Sequence, residues 1–328
     1  MRLSTPAVLV TATALLLSAC GTTENTGNTT AAPSDTAAAS GPVTVTDSRG
    51  KAVNLKAPAK RVVALEWGEA EMVASLGVMP VGAADVAGYN VWDKAAPLTA
   101  EVKDVGKRNE PSVDAIVGLN PDVVIMAEER DSTLVPQIEK YVPVVVTKSS
   151  DASRNFDRLR EDFKLIAKTV GKESEADKQL SEMDAKLAEG KKAVEAKGAA
   201  GTPFLMADGY LEGSTVSIRP FGKGSLVSDT AEAVGLKNAW TGKVDPQWGL
   251  GQTDVEGLTA LTDPKTVLFY SASEEDVFTT GLAQNAVYQR LPFVVSKKIH
   301  KLEAGTWTFG GPKSIIMTAD QIVKAVTT

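Results

Sequence analysis

The sequence predicts an α/β protein of two lobes, and three observations predict it. Short apolar strands alternate with amphipathic helices over residues 61–147. One long helical stripe follows at 153–170, and the alternation resumes from Phe204 to the end of the chain.

In the first stretch Arg61–Leu65, Val81–Ala84, Val123–Ala127 and Val142–Thr147 read as strands. Gly68–Leu76 and Pro111–Leu119 read as helices, with Pro111 suited to a first turn. Apolar runs of this length separated by helical periodicity are the pattern of a largely parallel sheet. In the middle, Phe156, Leu159, Phe163, Ile166 and Val170 recur every three or four residues and give one apolar helix face. A helix from Ser153 to Val170 spans roughly 27 Å, enough to pass from one lobe to the other, and Gly171 is placed to cap it. A second helix runs on to about Ala196. In the last stretch Phe204–Ala207, Thr266–Tyr270 and Ile299–Leu302 read as strands, and Ser225–Val234, Val255–Leu261 and Pro312–Ala325 as helices.

The N-terminus does not belong to this body. Arg2, the apolar run Ala7–Leu17 and Leu17-Ser18-Ala19-Cys20 form a secretory signal with a lipoprotein-type cleavage site. The apolar run is shorter than the roughly 20 residues that span a bilayer. Cys20 is the chain's one cysteine, so it has no internal disulfide partner, and it is the expected site of lipid attachment. The expected organisation is a signal peptide at 1–19, a lipidated tether at 20–41, a first lobe at 42–152, a linking helix at 153–171 and a second lobe at 172–328. The tether is rich in Thr, Ala, Ser, Gly and Asn and buries too little to fold.

Composition removes several functions. A net charge of −6 without a basic cluster is not a nucleic-acid surface. With one cysteine, at the anchor, and one histidine, a Ser-His-Asp or Cys-His site would have to use His300, which reads as a solvated residue in a polar turn, and a His-rich metal site cannot be assembled. There is no P-loop and no Gly-x-Gly-x-x-Gly motif. A cell-surface hydrolase is left as a distant alternative with no motif to carry it.

Binding features do appear. In open α/β sheets ligands gather beyond the carboxyl ends of strands. There stand Glu66 and Trp67, Arg108, Glu128-Glu129-Arg130, Asp208 and Tyr210 with Arg219 beyond, Trp248, and Trp307 with Phe309. Rigid aromatics with a few polar groups suit a ligand cleft. Arg108, Arg130 and Arg219 are offset by Glu66, Glu128, Glu129 and Asp208. That balance suits a neutral or weakly charged complex better than a strongly anionic one. Two segments also echo each other: Val113-Asp114-Ala115 before Val123 and Val255-Glu256-Gly257 before Val267, each with an acid at its second position.

These residues resemble the ferric-siderophore-binding proteins of ATP-driven importers, most of all their ferric-hydroxamate-binding branch. The likeness rests on Arg61–Trp67 with Glu71 and Leu76-Gly77, on Asp104–Pro111, on Asn238-Ala239-Trp240 with Trp248-Gly249, on Leu291-Pro292-Phe293, and on Trp307-Thr308-Phe309-Gly310. It covers the body from about Val43 onward. The resemblance implies two Rossmann-like lobes joined by one long α-helix, with ligand in the cleft between them. It implies that Arg108 donates to hydroxamate oxygens, that Trp248 packs on the siderophore, and that Asp114 and Glu256 grip a permease dimer driven by its ATPase. No cofactor is implied; iron arrives inside the ligand, and the protein acts as a monomer. Phe309, and Glu128-Glu129-Arg130 after the Val123 strand, stand where that branch often has tyrosines. The run Gly310-Gly311-Pro312 resembles ferric-citrate-binding relatives. Ferric citrate, a catecholate siderophore, haem and cobalamin therefore stay open as ligands.

Overall fold

The structure, a computed structural model, describes residues 41–128, 133–213 and 215–328. The expected signal peptide, Cys20, the tether up to residue 40, and Glu129 and Arg130 lie outside the described residues.

The first lobe begins with a hairpin, β1 (Val43–Thr46) and β2 (Ala52–Leu55). Alternate residues Val45, Val53 and Leu55 turn inward, as a strand's period of two requires. Then follow β3 (Val62–Ala64), α1 (Trp67–Ser75), β4 (Gly82–Ala83), α2 (Val86–Trp92) and β5 (Lys103–Asp104). A small hairpin of β6 (Gly106–Lys107) and β7 (Glu110–Pro111) leads to α3 (Val113–Gly118), β8 (Val123–Ala127), α4 (Leu134–Ile138) and β9 (Val144–Thr147). The order β5-β4-β3-β8-β9 makes a sheet that is parallel throughout. Covered on both faces, its strands β3, β8 and β9 are buried at every position. The chain leaves β3 to one side for β4 and to the other for β8, so a topological switch point lies beside Leu65–Trp67.

Two helices come next, α5 (Asn155–Val170) and α6 (Glu173–Ala196). Gly171 adopts φ +68° between them and closes α5, as its sequence position predicts. Leu159, Phe163, Ile166 and Val170 of α5 lie in one buried cluster. That cluster joins Val45, Val62 and Leu76 of the first lobe to Phe204, Phe221 and Ile315 of the second. The helix thus sits in a core shared by both lobes, which fixes the lobes against each other more firmly than a bare linker would.

The second lobe contains β10 (Pro203–Glu212), β11 (Thr215–Phe221), α7 (Leu226–Ala233), β12 (Lys237–Asn238), β13 (Val267–Tyr270), α8 (Pro292–Val295), β14 (Ile299–Lys301) and α9 (Pro312–Thr327). Its sheet is mixed: β10 is parallel to β12 and β13, β13 to β14, and β11 is antiparallel to β10. The expected four-residue strand at Phe204 is ten residues long, because β11 returns along it and pairs Asp208 with Arg219. The helix expected at Val255–Leu261 is a 3-10 turn at Gly257–Ala260. Asp254 Oδ1 accepts from Gly257 N at 2.9 Å and Thr259 Oγ1 donates to Glu256 O at 2.6 Å, local bonds that compete with a regular helix. Among the described residues no helix is long and apolar enough to cross a membrane.

Candidate functional site

A cleft of about 260 Å³ opens between the lobes, beside the switch point. Its first wall starts where β3 ends. Glu66 is extended and caps α1, its carboxylate accepting from Trp67 N at 3.0 Å. The same oxygen accepts from Arg108 Nη1 at 2.6 Å. Arg108 lies in the two-residue turn between β6 and β7, and its guanidinium stands 3.9 Å above the Trp67 ring. An ion pair along one edge and an aromatic face beneath hold the guanidinium in a fixed direction.

The opposite wall comes from the second lobe. Arg219 is ion-paired across the β10–β11 hairpin with Asp208, and its guanidinium lies 5.5 Å from the Phe309 ring. Trp248 sits in a loop wound around Asp245, whose carboxylate accepts from the N–H groups of Gln247, Trp248 and Leu250. An unbroken series of edge contacts links the lobes: Trp67 to Trp307 at 4.9 Å, Trp307 to Phe309 at 5.2 Å, and Phe309 to Trp248 at 5.4 Å.

Of the residues singled out from sequence, Glu66, Arg108, Arg219, Trp248, Trp307 and Phe309 line one cleft. Trp67 and Tyr210 do not. Trp67 is only 6% exposed and donates from Nε1 to Ala84 O at 3.2 Å; it underlies Arg108 instead of facing the opening. Tyr210 is half exposed on the outer part of the β10–β11 hairpin, away from the lining. Arg130 lies outside the described residues. Asp114 and Glu256 are exposed, the first in the opening turn of α3, the second just before the 3-10 turn, and neither enters an ion pair among the described residues.

The cleft floor contains residues that strand-end reasoning did not reach: Glu69 on α1, Ser149 and Ser150 after β9, and Asn155 and Asp162 on α5. The signal was the acidic run Glu66-Trp67-Gly68-Glu69-Ala70-Glu71 opening a helix that is otherwise apolar. All three acids are buried. Glu69 accepts at Oε1 from Thr147 Oγ1 at 2.5 Å and from Ser149 Oγ at 2.7 Å, while burial pushes its pKa up. Asp162 is likewise raised by burial, against the opposing pull of Arg158.

Glu71 anchors the cleft from behind. It accepts from Ser314 N at 3.1 Å and Ser314 Oγ at 2.7 Å, tying α1 to the start of α9. Gly310 and Gly68 permit this approach: a Cβ at Gly310 would stand 2.0 Å from Glu71 Oε2, and one at Gly68 2.9 Å from Phe309 O. Asp93 completes the group. Its buried Oδ2 has no hydrogen-bond partner among the described residues, and burial, then the neighbouring charge of Glu71, pushes its pKa up to about 10. Burial beside Glu71 thus favours the protonated form of Asp93. A carboxyl with an unfolded value near ~3.9 and a higher folded one contributes stability that is fully present below ~4 and is lost as pH rises towards the folded value. Asp93→Asn, which is neutral at every pH, is expected to gain stability relative to the unsubstituted protein as pH rises from 5 to 9. Thermal melts across that range check it; parallel curves would mean that Asp93 carries no extra proton.

Among the described residues no group of three or more His, Cys, Asp or Glu side chains could hold a metal ion. Two α/β lobes around a shared core, with an aromatic cleft whose arginines are already paired to carboxylates, make a binding protein. The chain belongs to the periplasmic binding protein family, whose model it matches over residues 62–305. The family is one of binding proteins, not enzymes. The chain is 26% identical over 259 residues to the iron(3+)-hydroxamate-binding protein FhuD of Escherichia coli (strain K12), covering 77% of this chain and 82% of that protein. It is 28% identical over 290 residues to the Fe(3+)-citrate-binding protein YfmC of Bacillus subtilis (strain 168), covering 85% and 84%. Its fold is similar to the solved structure of the siderophore-binding protein FhuD from Vibrio cholerae bound to Fe3+–Desferal, with a TM-score of 0.72 and 24% identity over 82% of this chain and 98% of that one.

Proposed function

We propose that this protein captures a ferric siderophore of the hydroxamate type outside the cytoplasmic membrane and delivers it to the permease of an ABC importer. The observation that carries the hydroxamate reading is the charge state of the walls. Arg108 and Arg219 each face a carboxylate within the wall, Glu66 and Asp208, so the cleft offers oriented N–H donors without a large positive field. Iron held by hydroxamates presents oxygen acceptors and little net charge, which matches donors of this kind. Trp248, Trp307 and Phe309 supply the apolar remainder. Ferric citrate is the second reading, favoured by the similarity to YfmC and by the run Gly310-Gly311-Pro312. The test is a panel: ferric hydroxamates, ferric citrate, a ferric catecholate, haem and cobalamin, each titrated against tryptophan fluorescence. Saturable quenching by the hydroxamates at sub-micromolar concentration is expected. Tight binding confined to ferric citrate, the catecholate, haem or cobalamin would overturn the hydroxamate assignment.

The reading extends to the chain's surroundings. Cys20 carries a lipid that holds the body at the outer face of the membrane, and the body works as a monomer whose two lobes each offer one acid, Asp114 and Glu256, to the permease. Their exposure and their places on separate lobes support this. Charge reversal of both is expected to abolish uptake while ligand affinity stays within about twofold, since surface substitutions usually perturb by no more than ~0.5 kcal/mol. Uptake of radiolabelled iron measured beside fluorescence titration separates the two; undiminished uptake would release both acids from docking.

A further inference from the structure

The floor of the cleft holds a carboxyl group that the reading above does not use. Glu69 is 1% exposed, yet it lines the cleft. Oε1 is taken by the hydroxyls of Thr147 and Ser149. Among the described residues no other side chain donates to this carboxyl. The neighbouring acid makes the contrast. Asp162 accepts from Arg158 Nε and Nη2 at 3.1 and 2.7 Å, from Ser149 N at 2.8 Å and from Lys148 N at 3.2 Å, so both its oxygens are filled.

The position of Glu69 is also built with care. Ser149 takes φ +66°, a strained conformation for a residue with a side chain, and in it the backbone reaches Asp162 while Oγ reaches Glu69. The arginines that line the cleft are paired with Glu66 and Asp208, not with Glu69. A buried carboxyl beside a second acid, with no cation paired to it among the described residues, favours a partner carrying positive charge.

We propose that Glu69, with Ser149 Oγ beside it, is a subsite for a protonated primary amine on an arm of the siderophore, and that it makes the protein prefer amine-bearing ferric hydroxamates over neutral ones. The inference rests on the hydroxamate reading above. An ammonium offers three donors, which suits the carboxylate lining the cleft and the hydroxyl oxygen beside it. A neutral or anionic arm placed there would bring no positive charge to the buried carboxyl.

The test uses two ligands with the same iron centre: the ferric complex of desferrioxamine B, which has a terminal amine, and its N-acetylated derivative. Tryptophan quenching by each is measured on the full chain. The amine complex is expected to bind about tenfold or more tightly, the size of a hydrogen bond between charged partners. In Glu69→Gln the ratio of the two affinities is expected to fall to about one, and in Ser149→Ala to fall part of the way. Equal affinities in the unsubstituted protein overturn the subsite without any variant being made. A preference that persists in Glu69→Gln overturns it as well, placing the selection elsewhere. Binding of neither complex overturns the hydroxamate reading, and the subsite with it.

Discussion

Replacing Arg108 with alanine is expected to weaken binding of a ferric hydroxamate by about 10- to 100-fold, the equivalent of one or two hydrogen bonds from a charged donor at ~1.5–3 kcal/mol. The expectation follows from how the side chain is held. Glu66 fixes one edge of the guanidinium at 2.6 Å and Trp67 lies 3.9 Å beneath it. Little conformational freedom is left to lose when a ligand arrives, so most of the interaction is realised as affinity. Arg108→Lys should recover only part of the loss, because an ammonium cannot reproduce a planar fork of donors. The fold should survive the change. Glu66 keeps its bond from Trp67 N, and the Arg108 side chain is already 28% exposed. Fluorescence titration together with a thermal melt checks both halves. Unchanged affinity would remove Arg108 from the site.

Glu71→Ala is expected to have the largest effect on stability. It strips two buried donors of Ser314, the N–H and the hydroxyl, of their acceptor, and it opens a gap beside the buried Asp93. Each buried polar group left unsatisfied costs ~1–3 kcal/mol, so a loss of about 3–5 kcal/mol is the scale. The damage should reach the cleft, because the segment Glu71 grips runs directly from Trp307 and Phe309 through Gly310 into α9. A fall in the melting temperature of about 6–20 °C is expected for a domain of this size. Glu71→Gln, which keeps the volume and one acceptor oxygen, should fall between. A melt of Glu71→Ala indistinguishable from the unsubstituted protein would remove the anchor from the account.

Much of this was legible in the sequence, for reasons that can be named. β8 and β9 are continuous apolar runs because both faces of a parallel sheet are covered. The stripe Leu159-Phe163-Ile166-Val170 and the left-handed Gly171 mark α5 and its end without any knowledge of its neighbours. Arg108 and Trp248 were reachable because strand ends and glycine-bounded loops are local features. What was hidden depends on partners distant in the chain. Trp67 looks like a cleft aromatic until Trp307 and Arg108 close over it. Glu69 looks like a solvated acid favoured in a first helical turn. Only the return of β9 places Thr147 and Ser149 against it. The β10–β11 hairpin was masked by Asp208-Gly209, which interrupts the apolar pattern. The pairing of Asp208 with Arg219 resolves it.

The most direct test of the central claim is the position of iron. A crystal of the protein grown with a ferric trihydroxamate, measured at the iron absorption edge, should show a single anomalous peak between the lobes, with Arg108 and Arg219 directed at the ligand oxygens and Trp248 against the ligand. An iron peak elsewhere on the protein, or iron bound directly by protein side chains without a siderophore, would contradict the account.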